Sequence, residues 1–151
     1  MRRLMILGLA LAFAPAAIGE ESDARALAQG ILDKGATLLE SRDAAAMAAT
    51  YTDDARVVIV LKDGESGRFK DLEKQGRGEI EELYRGLYND DRPINARNQV
   101  DFARLVSPNL LVIQGVLTLD AAGSRRFAFV QERRKDGERW LIASLRVYAI
   151  D

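Results

Sequence analysis

The chain has 151 residues, of which 48% are apolar and 30% charged, and its formal net charge is −1. This length favours one domain with a buried core rather than two. The near-neutral charge, without a basic stripe interleaved with aromatic residues, argues against a nucleic-acid partner. The sequence has no cysteine, which excludes disulfides, a thiol nucleophile, a thiolate metal site and a lipoprotein anchor. It indicates no metal and no cofactor.

The first 19 residues have the pattern of a secretory signal peptide. Arg2 and Arg3 precede an apolar run that is broken at Pro15 and ends in small residues at Gly19. The apolar run is short for a membrane span, although a retained anchor is the alternative. We therefore expect cleavage after Gly19, a secreted or periplasmic protein without a stable membrane anchor, and a mature domain over residues 20–151. Cleavage leaves 20 basic and 23 acidic side chains, a formal charge of −3.

The amino-terminal half of the mature chain is predicted to be mainly helical. Apolar residues at helical spacing predict a first helix over residues 23–40. Asp43 is a cap for a short second helix that ends near Tyr51, because Thr52-Asp53-Asp54 favours side-chain hydrogen bonds to the backbone. Val57 to Leu61 predicts a strand buried on both faces. Glu65 to Gly78 predicts a mobile loop, and residues 79–88 a third helix.

The carboxy-terminal half is predicted to form four long antiparallel strands. They cover residues 95–106, 110–119, 125–134 and 139–150, and short turns separate them. The order of elements indicates an α+β fold in which helices cover one face of a curved sheet.

Four local motifs resemble the nuclear transport factor 2-like superfamily and its SnoaL-like, ketosteroid-isomerase-like group. They are Asp43 leading into Tyr51-Thr52-Asp53-Asp54-Ala55, Gly76-Arg77-Gly78-Glu79-Ile80, Phe102-Ala103-Arg104 before Ser107-Pro108-Asn109, and Asp136-Gly137 before Trp140-Leu141-Ile142. The resemblance covers about Asp23 to Ala149. It implies a cystatin-like α+β barrel, in which a curved antiparallel or mixed sheet wraps three helices around an apolar pocket.

The resemblance also implies that the isomerase chemistry is missing. Aligned by the same motifs, Gly35 stands where the isomerases have a tyrosine, Ile59 where they have a carboxylate base, and Gln131 near their aspartic acid. The sequence has no histidine. We therefore expect a protein without catalysis. The predicted pocket wall is Ile59, Ile113, Leu117, Phe127, Phe129, Leu145 and Val147, with Gln131 as its lone polar group.

Three residues are kept as weak catalytic candidates. Asp54, next to Asp53, is more simply part of a helix stop and turn. Asp101 has two possible orientations. It is a candidate general base if its side chain faces the pocket, and it has no catalytic role if the side chain faces solvent. Tyr51 is the third candidate.

Simple alternation places Arg146 and Tyr148 on one strand face with Trp140, Ile142 and Ser144. If this is the outer face, Trp140, Ile142, Val112 and Val116 form an apolar surface, which predicts a homodimer formed sheet to sheet. If the register is shifted by one residue, Arg146 and Tyr148 line the pocket as an anion site. The charged residues 132–136 are predicted to form the solvated end of a hairpin.

Three functions follow, in order of preference. The first is an exported domain that binds a small, mostly apolar ligand. The second is an acid–base enzyme of the cyclase, isomerase or hydrolase type that uses a pocket carboxylate. The third is a dimeric protein-interaction module.

Overall fold

The computed structural model describes residues 16–90, 92–121 and 123–149. The predicted signal peptide lies largely outside these ranges. The elements in chain order are α1 (Ala16–Glu40), α2 (Ala44–Ala48), β1 (Tyr51–Lys62), β2 (Phe69–Gln75), α3 (Gly76–Leu87), β3 (Ala96–Ser107), β4 (Leu110–Ala121), β5 (Gly123–Asp136) and β6 (Arg139–Ala149).

The six strands form one curved mixed sheet in the order β2-β1-β6-β5-β4-β3. Neighbouring strands are antiparallel except β1 and β6, which pair in parallel. The predicted α+β fold is confirmed. We call the face of the sheet that the helices cover the inner face, and the opposite face the outer face.

Helix α1 lies along the edge strand β3 and is fixed there by side chains that bond to the backbone of that strand. Gln29 donates to the carbonyl of Asn98 over 2.8 Å and accepts from the amide of Val100 over 3.1 Å. Asn98 donates back to the carbonyl of Leu32 over 3.1 Å. The buried alanines Ala24 and Ala28 allow close approach. The helix therefore occupies the free edge of β3 and prevents another strand from pairing there.

The start of β1 corrects one prediction. Asp43 caps α2 as expected, by accepting from the amide of Ala46 over 2.9 Å. However, α2 ends at Ala48 and Tyr51 already belongs to β1. Asp53 pairs with Arg77 over 2.8 Å instead of ending a helix. The pair Asp53-Asp54 is thus part of a strand.

A second correction concerns the predicted loop, which contains strand β2. Its sequence is mostly charged, so its composition is that of a loop. Its strand conformation comes from the ladder with β1 and from ion pairs on the outer face. Arg56 pairs with Glu73 over 2.6 Å and Arg146 with Asp71 over 2.9 Å. These contacts depend on tertiary structure, which the local sequence does not show.

A β-bulge in β6 corrects a third prediction. Glu132 pairs with Ser144, whereas Arg133 pairs with Ile142, so Ala143 is an extra residue in β6. The bulge reverses the alternation of side chains on its two sides. Ile142 is 4% exposed and Trp140 packs against the core, while Ser144 lies on the outer face. Trp140 and Ile142 therefore do not share a face with Arg146.

Candidate functional site

A cavity of about 1060 Å³ lies between the helices and the inner face of the sheet. Its wall is mostly apolar and comes from all three helices and from every strand except β2. Small residues such as Ala36 and Gly35 line the cavity and leave space on the helical side. The cavity is partly open to solvent.

Six of the eight predicted pocket residues line this cavity: Ile59, Leu117, Phe129, Gln131, Leu145 and Val147. Ile113 is completely buried in the core instead of lining the space. Phe127 does not line it either, and the guanidinium of Arg125 lies 5.3 Å from its ring centre. Gly35, which the sequence motifs align with the isomerase tyrosine, lines the cavity, and a Cβ added there would meet no atom within 4 Å.

Arg133 is the site residue that was not predicted from the sequence. The charged composition of residues 132–136 predicts a solvated hairpin end, but β5 continues to Asp136 and Arg133 is only 5% exposed. Its Nε donates to Oε1 of Gln131 over 2.9 Å, and its Nη1 donates to the carbonyl of Trp140 over 3.0 Å. The alternation that places Phe129 and Gln131 inward predicts Arg133 inward as well, so the signal was present. Gln131 is therefore not the lone polar group.

The charge of Arg133 has no acidic partner among the described residues. Burial lowers the pKa of its guanidinium to about 10, because desolvation disfavours the charged form. The group is still cationic at neutral pH. The cavity thus contains a buried positive charge in a largely apolar wall.

Two tyrosine hydroxyls lie near this charge. The Oη atoms of Tyr51 and Tyr84 are 2.7 Å apart, and both residues line the cavity. Burial raises the pKa of both phenols, most strongly for Tyr51, and the charge of Arg133 opposes this effect. The ring of Tyr88 stacks on the ring of Tyr84, with 6.0 Å between the two ring centres. Burial raises the pKa of Tyr88 to about 12. Its Oη is buried and bonds to no described residue.

The two candidate carboxylates lie outside the cavity. Asp54 is exposed and pairs with Arg134 over 3.3 Å. Asp101 is exposed at a register shift in β3 and borders a shallow groove on the outer face. Glu138 is the one carboxylate among the described lining residues, and it is exposed at the rim. Of the three catalytic candidates, Tyr51 alone reaches the cavity.

Arg146 and Tyr148 lie on the outer face, since they alternate with Leu145 and Val147, which line the cavity. Arg146 pairs with Asp71, and its guanidinium lies 5.8 Å from the ring centre of Tyr148. Cross-strand pairing places Val116 beside Ala128 and Ala128 beside Tyr148 on this face. The alternative anion site at Arg146 and Tyr148 is therefore not part of the cavity.

The described residues offer neither a metal site nor a membrane span. No group of three or more carboxylate, histidine or cysteine side chains could hold a metal ion within residues 16–90, 92–121 and 123–149. Across the same part of the chain, the helices are too short or too polar to cross a membrane.

No family model and no curated protein sequence matches this chain. Solved structures do. A domain of unknown function with a cystatin-like fold from Nostoc punctiforme is 16% identical over 84% of this chain and 77% of its own, with a TM-score of 0.64. An NTF-2-like protein of unknown function from Shewanella oneidensis is 16% identical over 79% and 93%, with a TM-score of 0.63. A ketosteroid isomerase-like protein from Erwinia carotovora is 17% identical over 80% and 94%, with a TM-score of 0.58. The chain therefore has the cystatin-like α+β fold of nuclear transport factor 2-like proteins, and the resemblance predicted from the sequence is confirmed at the level of fold.

Proposed function

We propose that the protein binds a small, mostly apolar molecule in the cavity and does not catalyse a reaction on it. The observation that carries this proposal is the cavity of about 1060 Å³, whose apolar wall is interrupted by Arg133, Gln131, Tyr51 and Tyr84. Ligand sites typically have volumes of about 300–1000 Å³ and a few polar groups that orient the ligand. The size and the wall of this cavity support such a role.

The buried titratable groups favour binding over acid–base catalysis. A general acid or base works best when its pKa is near the working pH. The raised pKa of Tyr51 and Tyr84 keeps both phenols protonated, and Arg133, with a pKa of about 10, stays charged. Asp54 and Asp101, which an enzyme of the predicted type would need, point to solvent. The buried polar groups are thus suited to hold a ligand rather than to move its protons.

The open cavity also argues against a module whose pocket is filled by its own side chains.

Gly35 and Gly30 provide a matched pair of variants to test binding, because both lie in α1 and a Cβ added at either position would meet no atom within 4 Å. Gly35 lines the cavity, whereas Gly30 is exposed and does not. A leucine at position 35 should occupy the binding space, and a leucine at position 30 should not.

The test is thermal denaturation of the wild type, Gly35→Leu and Gly30→Leu with a panel of aliphatic alcohols, naphthalene derivatives and sterols. A ligand that binds only the folded state raises the midpoint in a saturable way. We expect such shifts for the wild type and Gly30→Leu, and a strong reduction for Gly35→Leu. No shift with any member of the panel, or equal shifts in all three proteins, would contradict the proposal.

A further inference from the structure

We propose that the cavity selects an apolar monocarboxylate, and that Arg133 binds its carboxylate group. This inference deepens the proposed function and depends on it. The sequence pattern assigned no role to Arg133. The structure places its guanidinium in the cavity wall beside Gln131.

The guanidinium has donors left for a ligand. Arginine has five N–H groups, and two of those of Arg133 are used, by Gln131 and by the carbonyl of Trp140. The other three, on Nη1 and Nη2, have no acceptor among the described residues. Nη1 and Nη2 together form a planar fork that matches the two oxygens of a carboxylate.

The tyrosine pair adds a further donor. In a hydrogen bond between two hydroxyls, one hydrogen is shared and the other remains free. The 2.7 Å contact between Tyr51 and Tyr84 therefore leaves one hydroxyl hydrogen available. The positive charge of Arg133 partly opposes the rise in pKa that burial causes at both phenols. The three groups therefore form one electrostatic cluster.

The unpaired charge is the reason to expect an anion rather than a neutral ligand. A buried ion is costly unless an opposite charge and hydrogen bonds compensate it. No described carboxylate compensates Arg133, so an anionic ligand can supply the missing partner. The exposed lining residues favour the same ligand, because Lys34 and Lys135 outnumber the single acid Glu138 and attract anions to the opening. Arg139 also lines the cavity, but its charge is paired with Asp136.

The rest of the wall limits the anion to one charged group on an apolar body. The cluster offers one guanidinium, one amide and one free phenol hydrogen. Away from it, the wall is formed by side chains such as Leu117, Phe129 and Val147. A multiply charged molecule would leave charges against apolar surface, which is unfavourable.

The experiment compares two probes of nearly equal shape, 2-naphthoate and 2-naphthylmethanol, by isothermal titration calorimetry at pH 7. We expect the wild type to bind the carboxylate at least about ten-fold more tightly than the alcohol, since charge-assisted hydrogen bonds are roughly twice as strong as neutral ones. Arg133→Met should weaken carboxylate binding by about ten-fold or more and change alcohol binding by less than about three-fold. Arg133→Lys keeps the charge but not the fork, and should give intermediate carboxylate affinity.

Arg134→Met is the matched control, because Arg134 is the next residue but is exposed and pairs with Asp54. It should leave both affinities unchanged. If the wild type binds both probes equally, the carboxylate inference is wrong while the proposed binding function stands. If neither probe binds, the carboxylate inference is wrong, and the thermal shifts with the wider panel decide whether the proposed binding function stands. The wild-type comparison alone decides between these outcomes, even if Arg133→Met does not fold.

Discussion

At the scale of single residues, we predict that Arg133 is a destabilising element that a ligand would compensate. Its desolvation is only partly offset by its bonds to Gln131 and Trp140. We predict that Arg133→Met increases the free energy of unfolding of the unliganded protein by about 1 kcal/mol. The reason is that the desolvation cost of the buried ion is larger than the stabilisation from its two hydrogen bonds. Urea denaturation at pH 7 measures the change.

The adjacent Arg134→Met variant is the control for this prediction. Arg134 makes an exposed ion pair with Asp54, and such pairs contribute about 0–1 kcal/mol. Its removal should therefore lower stability slightly or not at all. If Arg133→Met is the less stable of the two variants, Arg133 is a net structural contributor and its burial needs no ligand to explain it.

The buried phenols predict a loss of stability at alkaline pH. The pKa of Tyr51 is raised in the folded state, so above pH 10 the unfolded chain releases a proton that the folded chain keeps. The stability from this neutral phenol is complete below pH 10 and decreases as pH rises toward the folded pKa, by up to about 1.4 kcal/mol per pH unit. Tyr84 acts in the same direction. Arg133, whose pKa is lowered to about 10, acts in the opposite direction.

The variant Tyr51→Phe tests the alkaline effect. It removes the hydroxyl that accepts or donates in the contact with Tyr84. We expect the free energy of unfolding to fall less between pH 9 and pH 11 in Tyr51→Phe than in the wild type. Urea denaturation at several pH values measures both slopes. Equal slopes would mean that Tyr51 ionises as easily in the folded protein as in the unfolded chain.

Much of the cavity wall could be anticipated from the sequence, but its polar cluster could not. Period-two alternation along β5 places Phe129 and Gln131 inward, and the structure agrees. The same alternation reaches Arg133, but the charged composition of residues 132–136 indicated a solvated turn. The hydrogen bond between Tyr51 and Tyr84 joins two residues that are 33 positions apart in the sequence. A local sequence pattern cannot predict such a contact.

At the scale of elements, the bulge at Ala143 decides which side chains of β6 enter the core. We predict that Ile142→Ala lowers the free energy of unfolding by about 2–5 kcal/mol, because Ile142 is almost fully buried. Ser144→Ala, two residues away, should change it by less than about 0.5 kcal/mol, as expected for a site outside the core. Chemical denaturation of both variants measures this difference. Similar effects at the two positions would indicate regular alternation without the bulge.

Strands β3, β4 and β5 were predicted nearly to their ends because their apolar residues are dense and clear turns separate them. Strand β2 was not, because its residues are mainly charged and its conformation comes from pairing with β1. The bulge was not predictable either. It depends on the pairing of β5 with β6, and the sequence near Ala143 contains no glycine that would mark it.

At the scale of the whole molecule, we propose that the mature protein begins at Glu20 and is exported. A cut after Gly19 removes the first turn of α1 but no residue of the described core, which begins at Ala24. We expect residues 20–151 to unfold at the same urea concentration as the full chain. A chain that starts at Gly30 loses Ala24 and Ala28 and should be less stable. Amino-terminal sequencing of the exported protein should give Glu20, and a product that retains residues 1–19 would contradict this.

Dimerisation through the outer face stays a prediction. Trp140 and Ile142 do not contribute to this face, but Val112 and Val116 remain there, half-buried. If the face is an interface, Val116→Lys should convert a dimer to a monomer in sedimentation velocity. Leu72→Lys, at an exposed position on the inner side of β2, should not. A monomeric wild type would contradict the prediction.

The position of β6 in the sheet has a consequence for how the protein is made. This last strand lies between β1 and β5, so it joins the β1–β2 hairpin to the β3–β4–β5 meander. Without it, the two halves have no ladder in common and the core residues of β1 have no neighbour on one side. The sheet therefore cannot form completely before β6 has been synthesised, because β1 and β5 are joined only through a strand that is made after both.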